Sequence, residues 1–359
     1  MCQAFAKNGH EVVLLTPDYP DVEPEVADLY HFYGVDTCFK IKKLPWFACK
    51  GRARIYGFLA ALEAKRLQPN LVYGRCLQSC FLGHILGLPI VYESHTLPTN
   101  AGRITAWMLS RLIRSKCLKR FVVTSHTLRQ DYQERYRIPE SLITVAYNGA
   151  DEPGKCEKLE LADANRFQVG YVGHLYPGKG MEVVSALATT CSWADFHVIG
   201  GSESDIKYWK NQLAGLSNIF FHGYILCPQT EQYRQCCDVL IAPYQRRVSV
   251  TDKDEESGSR AEESGRWMTP IKIFEYMASG KAIISSDLPV AREVLTHGFT
   301  ALLYEPEDIN NWIRGLTDLR DNPGVRELLG MRASEEFQAK YTWKARSTRV
   351  LRGVNQWQC

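Results

Sequence analysis

Short apolar runs alternate with longer amphipathic segments along most of this chain. In the first half the apolar runs are EVVLLTPD, NLVYGR, PIVYESH, RFVVTS and LITVAYN. Helical patterns separate them near 52–67, 76–86, 101–116 and 126–136. Apolar strands that alternate with helices are typical of a parallel sheet covered by helices on both faces. The pattern therefore predicts a doubly wound α/β architecture.

The same pattern restarts after a polar stretch near residues 150–165. The second set of runs is FQVGYVG, DFHVIGG, NIFFHG, DVLIAPY, KAIISSD and TALLYEP. A chain of 359 residues is also too long for one ordinary hydrophobic core. We therefore predict two Rossmann-like domains, 1–152 and 153–340, with residues 341–359 forming a helix that packs back on the first domain.

Composition narrows the class of protein. The hydrophobic fraction of 45% and the charged fraction of 23% are typical of a soluble globular protein, and no apolar run approaches the roughly 20 residues that span a bilayer. The twelve cysteines are scattered without a zinc-like C-x-x-C pair, which favours reduced thiols. The net charge of +3 is too small to indicate nucleic-acid binding. We expect a cytoplasmic protein.

Basic residues are nevertheless concentrated in two segments of the first half. Residues 40–54 carry six basic and no acidic side chains around Trp46 and Phe47, and residues 103–120 carry six more. Basic residues mixed with aromatic ones suit an anionic membrane surface, which would make the protein peripheral at the inner face of a membrane. A solvated helix face is the alternative interpretation.

A polar segment from Gln245 to Arg266 interrupts the rhythm and is expected to be a mobile loop. Asp252 and Asp254 within it have the D-x-D form by which some sugar-transferring enzymes hold a metal. Two carboxylates in an acidic loop arise readily by chance, so we predict no metal site.

The first strand of the second half leads into a glycine-bounded turn, YVGHLYPGKGMEVV. Gly173, Gly178 and Gly180 permit close backbone approach, and the amides that open the next helix can receive phosphate oxygens. Lys179 adds a positive charge. The stretch nearly matches the Walker pattern, but Gly180 replaces the hydroxyl that would bind magnesium, which argues against an NTPase. A tight turn with an exposed lysine remains the structural alternative.

The helix IKIFEYMASG carries Lys272 and Glu275 three residues apart, on one face. The simplest interpretation is a surface ion pair. In open α/β sheets, however, ligands bind beyond the carboxyl ends of the strands, where this helix and the glycine turn would meet. There a carboxylate can accept hydrogen bonds from both hydroxyls of a ribose while Lys179 faces a diphosphate.

These motifs resemble the retaining glycosyltransferases of family 4. The donor-side motifs are GHLYPGKG, FHG, DVLIAPY, TPIKIFEYMASGKAIISSDLPVAREVL, ALLYEPED and YTWKAR, and the acceptor-side ones are YGR, YESH, TSHTL and YNGAD. The resemblance covers nearly the whole chain in the right order. It implies a GT-B fold, in which two Rossmann-like domains face each other across a cleft, and a retaining, metal-independent hexosyltransferase that needs no cofactor beyond its nucleotide-sugar donor.

The resemblance also implies site residues. Glu275 matches the glutamate that binds the donor ribose, Lys179 the lysine that neutralises the donor phosphates, and His95 a first-domain histidine that reaches the transferred sugar; these three are the predicted catalytic residues. The predicted donor-binding set is Gly173, His174, Gly178, Lys179, Gly180, Lys272, Ile273 and Glu275. Candidate acceptor or cleft residues are Arg75, Glu93 and Asn148, although Glu93 also suits a structural hydrogen bond and Asn148 a turn.

Three departures from the family pattern stand out. Trp267 occupies the place of the family's first motif glutamate, so sugar recognition is expected to differ. His174 stands where an arginine often occurs, which leaves the second phosphate cation open among Lys272, Arg246 and Arg266. The family's first strand and its glycine-rich turn are expected to precede Met1, so the N-terminal sheet is predicted to lack one strand.

The leading hypothesis is a retaining glycosyltransferase of polysaccharide biosynthesis that moves a sugar from a nucleotide diphosphate to a glycan or lipid-linked acceptor. A nucleotide-sugar epimerase of GT-B fold would bind the same donor but need no acceptor. A non-catalytic nucleotide-sugar or glycan binder is the alternative from a different class of protein. The sequence identifies neither the donor sugar and base nor the acceptor.

Overall fold

A computed structural model describes residues 1–19, 28–98, 102–154, 159, 165–248, 267 and 270–354. The described chain divides into two compact α/β units. The first unit comprises Met1–Tyr147 together with the C-terminal residues from Trp343 onward, and the second comprises Asn148–Thr342.

The first unit contains two parallel sheets among its described strands. The four-stranded sheet has the order β3-β4-β5-β6, and β1 pairs only with β2. Its strands are β1 Val13–Asp18, β2 Lys40–Pro45, β3 Val72–Gly74, β4 Ile90–Ser94, β5 Leu118–Val123 and β6 Ile143–Val145. Its helices are α1 Cys2–Lys7, α2 Leu29–Tyr33, α3 Arg52–Leu67, α4 Leu77–Ile85, α5 Arg103–Ile113, α6 His126–Tyr136 and α14 Trp343–Leu351.

The second unit is built on one six-stranded parallel sheet of order β12-β11-β10-β7-β8-β9. Its strands are β7 Phe167–Val172, β8 Ala194–Ile199, β9 Ile219–Gly223, β10 Val239–Ala242, β11 Ala282–Ser286 and β12 Leu302–Tyr304. Its helices are α7 Met181–Thr190, α8 Glu203–Gln212, α9 Thr230–Cys236, α10 Ile271–Ala278, α11 Pro289–Arg292, α12 Ile309–Asp321 and α13 Pro323–Lys340.

The central strands of the second unit are buried along their whole length. Every residue of β7, β8, β10 and β11 is buried, as expected for parallel strands that carry helices on both faces. Their side chains form one core with those of α7 and α12, in which Trp312 is fully enclosed. The residues at the ends of these strands are therefore held in place by a closely packed core.

Helix α14 completes the core of the first unit from the far end of the chain. Val350 and Val354 pack in one cluster with Phe5, Val91 and Val122. Arg120 of β5 reinforces this contact, because its guanidinium donates hydrogen bonds to three main-chain carbonyls at the end of α14, those of Arg349, Val350 and Arg352.

The doubly wound architecture predicted from the sequence is confirmed, with one strand missed. Residues 40–45 form strand β2 rather than part of a continuous basic segment. Lys40, Lys42 and Lys43 on this strand pair with Glu11, Glu63 and Asp18, so half of that basic cluster is neutralised locally. The ten cysteines in the described parts of the chain are free thiols. No described helix has the length and apolar character needed to cross a bilayer.

Gly330 tests the packing of α13 against the turn between α10 and β11. A Cβ atom at this position would lie 2.1 Å from the carbonyl oxygen of Gly280, whereas one at Gly324 in the same helix would meet nothing within 4 Å. We expect Gly330→Ala to lower the free energy of unfolding by about 1–3 kcal/mol through overpacking. Gly324→Ala should leave it unchanged or raise it by up to about 1 kcal/mol, because alanine reduces the entropy of the unfolded chain. Denaturant titration measures both, and equal effects would contradict the packing argument.

Candidate functional site

The turn that follows β7 is shaped by close backbone contacts. Gly173 has a φ of +148°, and a Cβ atom there would lie 2.7 Å from Nζ of Lys272. Gly180, with a φ of +110°, leaves no room for a Cβ, because the carbonyl oxygen of Pro243 would be 2.2 Å away. The carbonyl of Gly178 between them accepts a hydrogen bond from the amide of Gln245. The turn is thus seated on the segment that follows β10, and Gly180 is the N-cap of α7.

Lys272 lies under this turn, in the first turn of α10. The residue is only 8% exposed, and its ammonium group lies 4.0 Å from the ring centroid of Tyr171 and 4.8 Å from that of Tyr244. Within the described chain its Nζ atom has no hydrogen-bond acceptor. Aromatic faces attract a cation by a few kcal/mol at most, about 2 kcal/mol when desolvated, which does not replace the lost hydration. An anion bound at the turn would offset this cost of desolvation.

Lys179 is held beside the same aromatic ring. Its Nζ atom lies 5.7 Å from the ring centroid of Tyr244. Burial lowers the pKa of Lys179. The pKa of Lys272 is lowered strongly, first by burial and then by the positive charge of Lys179, while the charge of Glu275 opposes the shift. Two ammonium groups therefore share a partly dry site next to the glycine turn.

Glu275 points toward a different partner from the one expected. Its carboxylate lies 3.6 Å from Nη1 of Arg234 on α9, a side chain that also pairs with Glu231 at 2.8 Å. No ion pair within 4 Å joins Lys272 to Glu275 in the described chain, so the surface-pair interpretation is wrong. The reason is that Lys272 is drawn under the turn by Tyr171 and Tyr244. Glu275 keeps a side chain that is 20% exposed and is braced from one side.

The other predicted donor residues occupy the same end of the second unit. The imidazole of His174 stacks on Tyr176 at 4.8 Å, in the glycine turn. Ile273 is buried and faces the pocket between α10 and β11. Of the candidate second phosphate cations, Arg246 pairs with Glu305 and Glu307 on the surface, and Arg266 lies outside the described residues. Lys272 is the candidate that the structure places against the turn.

The first unit carries a separate pocket of about 280 Å³ at the carboxyl end of β4. Glu93 and His95 line it, and the carboxylate of Glu93 is hydrogen-bonded to Nε2 of His95 at 2.5 Å. Arg75 lines the same pocket from an exposed position. Asn148 is buried at the start of the second unit, and it is not among the residues that line this pocket.

Burial by itself would raise the pKa of Glu93, which is 4% exposed. The hydrogen bond from His95 and the charge of Arg346 outweigh burial, and the net result is a lowered pKa. The pocket thus contains a carboxylate that stays ionised next to a histidine.

Sequence reasoning missed the residues that hold the predicted ones in place. Tyr171 and Tyr244 flank the lysines, Arg234 braces Glu275, and Arg346 reaches Glu93 from α14. Tyr171 lies in strand β7 and Tyr244 just after strand β10, and these apolar runs gave a signal for a core position only. Asp252 and Asp254 lie outside the described residues, and no cluster of three or more metal-type ligands occurs in the parts that the structure describes.

Comparison with protein-family models decides the family. Residues 1–152 match the model of Glycosyltransferase Family 4, and residues 166–322 match that of the Glycosyl transferases group 1. The chain belongs to the family 4 glycosyltransferases. The predicted resemblance is therefore confirmed.

Curated relatives in this glycosyltransferase family are distant. An uncharacterized glycosyltransferase of Methanocaldococcus jannaschii is 23% identical over 240 residues, which are 64% of this chain and 54% of the relative. The phosphatidyl-myo-inositol mannosyltransferase of Mycolicibacterium smegmatis is 23% identical over 275 residues, 74% of this chain and 64% of the relative. The chain thus spans a little over half to nearly two thirds of these relatives.

Solved glycosyltransferase structures share the fold. Sucrose-phosphate synthase from Thermosynechococcus elongatus has a TM-score of 0.72 at 16% identity and covers 99% of this chain and 91% of its own. HepE from Anabaena, solved with UDP, has a TM-score of 0.67 at 14% identity and covers 97% of this chain and 100% of its own. These likenesses confirm the GT-B fold.

The departures from the family 4 pattern have a structural setting. Trp267, in the place of the first motif glutamate, is 4% exposed and therefore part of the core rather than a free polar contact. Pro270, which carries no N–H, is the N-cap of α10. The family's usual acidic contact at this position is replaced here by an apolar side chain.

Lys272 should lower the stability of the protein in the absence of an anion. We expect Lys272→Met to raise the free energy of unfolding at pH 7 by about 1–3 kcal/mol, because it removes a buried charge and keeps the volume. The pKa of Lys272 is lower in the folded state than the unfolded value of 10.5, so the unfolded chain binds the extra proton. The unfavourable contribution of Lys272 to stability should therefore diminish as the pH rises, and the advantage of Lys272→Met should shrink toward pH 10.

Chemical denaturation at pH 7, 8.5 and 10 measures this difference. Lys210→Met is the matched control, because Lys210 is exposed on α8 of the same unit and its replacement should change stability by less than about 0.5 kcal/mol. A destabilised Lys272→Met variant would contradict the argument.

Proposed function

We propose that the protein transfers a sugar from a nucleotide diphosphate to a hydroxyl-bearing acceptor. The observation that carries the proposal is the buried ammonium group of Lys272 beside Lys179, under a glycine turn that opens a helix. A diphosphate has the charge and size to bind two lysines together with backbone amides at a helix N-terminus. The carboxylate of Glu275, braced by Arg234, suits the ribose hydroxyls.

The lysines of this site would act on the leaving group. In the transfer, the acceptor oxygen bonds to the anomeric carbon, the bond from that carbon to the diphosphate breaks, and the acceptor hydroxyl loses its proton. Negative charge grows on the diphosphate as the bond breaks, so cations that are fixed in a dry site stabilise the transition state more than the ground state. The departing diphosphate can take up the acceptor proton, so the reaction needs no carboxylate side chain as a general base.

Retention of configuration and independence from metal are part of the proposal. Membership in family 4 supports both. The two lysines support only the independence from metal, because they would supply positive charge at the phosphate position. NMR of the product anomer, with and without EDTA, tests them. An inverted product, or activity that is lost with EDTA and restored by a divalent cation, would overturn this part.

The acceptor would be a glycan or a lipid-linked sugar bound by the first unit. The pocket of about 280 Å³ offers hydroxyl, carboxylate and imidazole groups from Ser94, Thr96, Glu93 and His95. Polar groups of this kind recognise sugar hydroxyls. His95, which is partly exposed in this pocket, would contact the transferred sugar.

Nucleotide binding tests the donor site. UDP is the first probe, since the structurally similar HepE binds UDP, and GDP and ADP follow. We expect Lys179→Met and Lys272→Met each to weaken binding of the preferred nucleoside diphosphate by 10- to 100-fold, about 1.4–2.8 kcal/mol, because each removes a desolvated charge contact. Calorimetric titration measures the affinity, and Lys210→Met should bind like the wild type. A folded wild-type protein that bound none of the three nucleotides would refute the proposal.

The first unit also exposes an apolar surface that carries basic residues. Ile55, Phe58 and Leu62 are exposed at a spacing of three and four residues, so they share one face of α3. Ile104 and Trp107 are exposed in the same way on α5, and α4 packs against both helices. Exposed cations on these two helices or close to their ends include Lys50, Arg52, Arg54, Lys65, Arg66, Arg103, Arg111 and Arg114.

We propose that this surface binds an anionic lipid bilayer. The protein would then be peripheral at the cytoplasmic face of a membrane where polysaccharide precursors are made. Apolar side chains ringed by arginine and lysine are complementary to acyl chains below anionic headgroups. The pairing of Lys40, Lys42 and Lys43 with carboxylates moves the expected contact from residues 40–45 to the helices.

Vesicle sedimentation tests the surface. With vesicles that contain anionic phosphatidylglycerol at low salt, the double variant Phe58→Ser/Trp107→Ser should bind at least about tenfold more weakly than the wild type. The variant lacks two aromatic side chains that the bilayer would bury. Tyr208→Ser is the matched control, since Tyr208 in the second unit has the same 56% exposure as Trp107. Equal loss in both variants, or no wild-type binding, would refute the membrane contact.

A further inference from the structure

Helix α14 places one side chain, Arg346, against Glu93, which lines the pocket of the first unit. Arg346 is 3% exposed although it comes from the C-terminal end of the chain. Its Nε atom donates a hydrogen bond to the carbonyl of Tyr147 at 2.7 Å, and its Nη2 atom donates to the carboxylate of Glu93 at 2.9 Å and to the carbonyl of Ala146 at 3.3 Å. Most hydrogen-bond donors of the guanidinium group thus have an acceptor, and one of these acceptors is a charged carboxylate.

Glu93 connects Arg346 to His95. The Oε2 atom of Glu93 accepts from Arg346 and from the hydroxyl of Tyr73, whereas Oε1 faces Nε2 of His95. A carboxylate that accepts from an arginine and a phenol at one oxygen is ionised and acts only as an acceptor. Nε2 of His95 must therefore carry a proton in this hydrogen bond. In the neutral form of the ring, Nδ1 is then left as an acceptor.

An anchor for α14 does not require this carboxylate. Arg120 already ties the end of the helix to the body of the unit through three carbonyl oxygens, and its described contacts include no acidic partner. A buried ion pair adds little net stability over an apolar replacement, because desolvation offsets the Coulomb attraction. The Arg346–Glu93 pair, with both residues at most 4% exposed, is better explained by what it does to the neighbouring histidine.

We propose that Arg346 is a positioning residue: it fixes the ionised Glu93 carboxylate against Nε2 of His95 and so sets the tautomer that His95 presents to the pocket. In many histidine sites, the group that hydrogen-bonds to one ring nitrogen determines which of the two nitrogens carries the proton. The other titratable or charged groups at the cluster are Tyr73, which shares Oε2, and Arg75, Tyr92 and Tyr132, which line the pocket. The role in sugar transfer rests on the proposed function, whereas the control of the tautomer does not.

Nitrogen-15 NMR of the histidine rings tests the proposal on the full-length protein. The nine histidines are resolved by their two-bond correlations, and the His95 signal is assigned by its loss in His95→Gln. The wild type should show His95 as the Nε2–H tautomer. In Arg346→Met and in Glu93→Gln the Nδ1–H tautomer should appear as well, and Arg346→Lys should restore much of the wild-type pattern because a cation again faces Glu93.

Arg120→Met is the matched control. It removes an arginine of the same unit that binds the same helix, but it leaves Glu93 untouched, so the His95 tautomer should stay as in the wild type. Glu93→Gln keeps the two carbonyl bonds of Arg346, which makes the test independent of whether Arg346→Met folds. An unchanged tautomer in Arg346→Met and Glu93→Gln, or equal effects of Arg346→Met and Arg120→Met, would overturn the proposal.

Kinetics provide the second measurement. With the sugar conjugate of the nucleotide that binds the wild type as donor and water as the acceptor, turnover is measured as release of the nucleoside diphosphate. Arg346→Met should lower kcat by about 10- to 100-fold, the usual effect of removing a partner that orients an active group. The dissociation constant for the nucleotide should change by less than about twofold, because binding to the second unit does not use this cluster. A kcat equal to that of the wild type would overturn the catalytic part. A wild-type protein without turnover would refute the proposed function and leave the NMR result standing.

Discussion

The burial of Lys272 beside Lys179 is the constraint on which the second unit depends. Burying an ammonium group away from water costs several kcal/mol of free energy unless an anion binds it. A second positive charge nearby increases this cost. The chain accepts this arrangement by placing the faces of Tyr171 and Tyr244 against the cation and by using glycine at position 173, where any side chain would collide with Nζ. A site that is unfavourable in the free protein and favourable with an anion is typical of a binding site rather than of a core.

Two buried arginines in the molecule illustrate how differently a carboxylate can be used. Arg234 holds two carboxylates, so Glu231 satisfies its charge while Glu275, 20% exposed, remains available at the edge of the site. Arg346 binds one carboxylate, that of Glu93, and the other oxygen of this carboxylate is hydrogen-bonded to His95. In both places an arginine fixes an acidic side chain without being exposed itself, which positions the acid at little cost in side-chain entropy.

Much of the fold could be predicted because parallel strands and amphipathic helices have distinct periods. Helices α3 and α6 begin and end at the predicted residues, and the glycine turn lies where the strand pattern put it. Strand β2 was missed because three lysines in six residues hide the strand period, and their carboxylate partners are far apart in sequence.

The side-chain environment of the site could be predicted only in part. Spacing places Lys272 and Glu275 on one side of α10. It cannot show that Lys272 turns inward toward one ring on β7 and another just after β10. The contact between Arg346 and Glu93 joins positions that are 253 residues apart, and no local pattern encodes it. The apolar face of α3 was likewise invisible, since exposure depends on what fails to cover Ile55 and Phe58.

The glycine turn shows why the proposed donor site is preorganised. Gly178 and Gly180 pack directly against the backbone of the segment after β10, where added Cβ atoms would fall 1.9 Å from the carbonyl oxygen of Arg247 and 2.2 Å from that of Pro243. Backbone-to-backbone contact of this kind leaves no flexible side chain to adjust, so the turn and that segment keep a fixed geometry. Amides and ammonium groups held in advance need little reorganisation when charge develops on a leaving group. In the proposed reaction, the unfavourable burial of Lys272 in the free protein would be the physical counterpart of a strong interaction with the departing diphosphate.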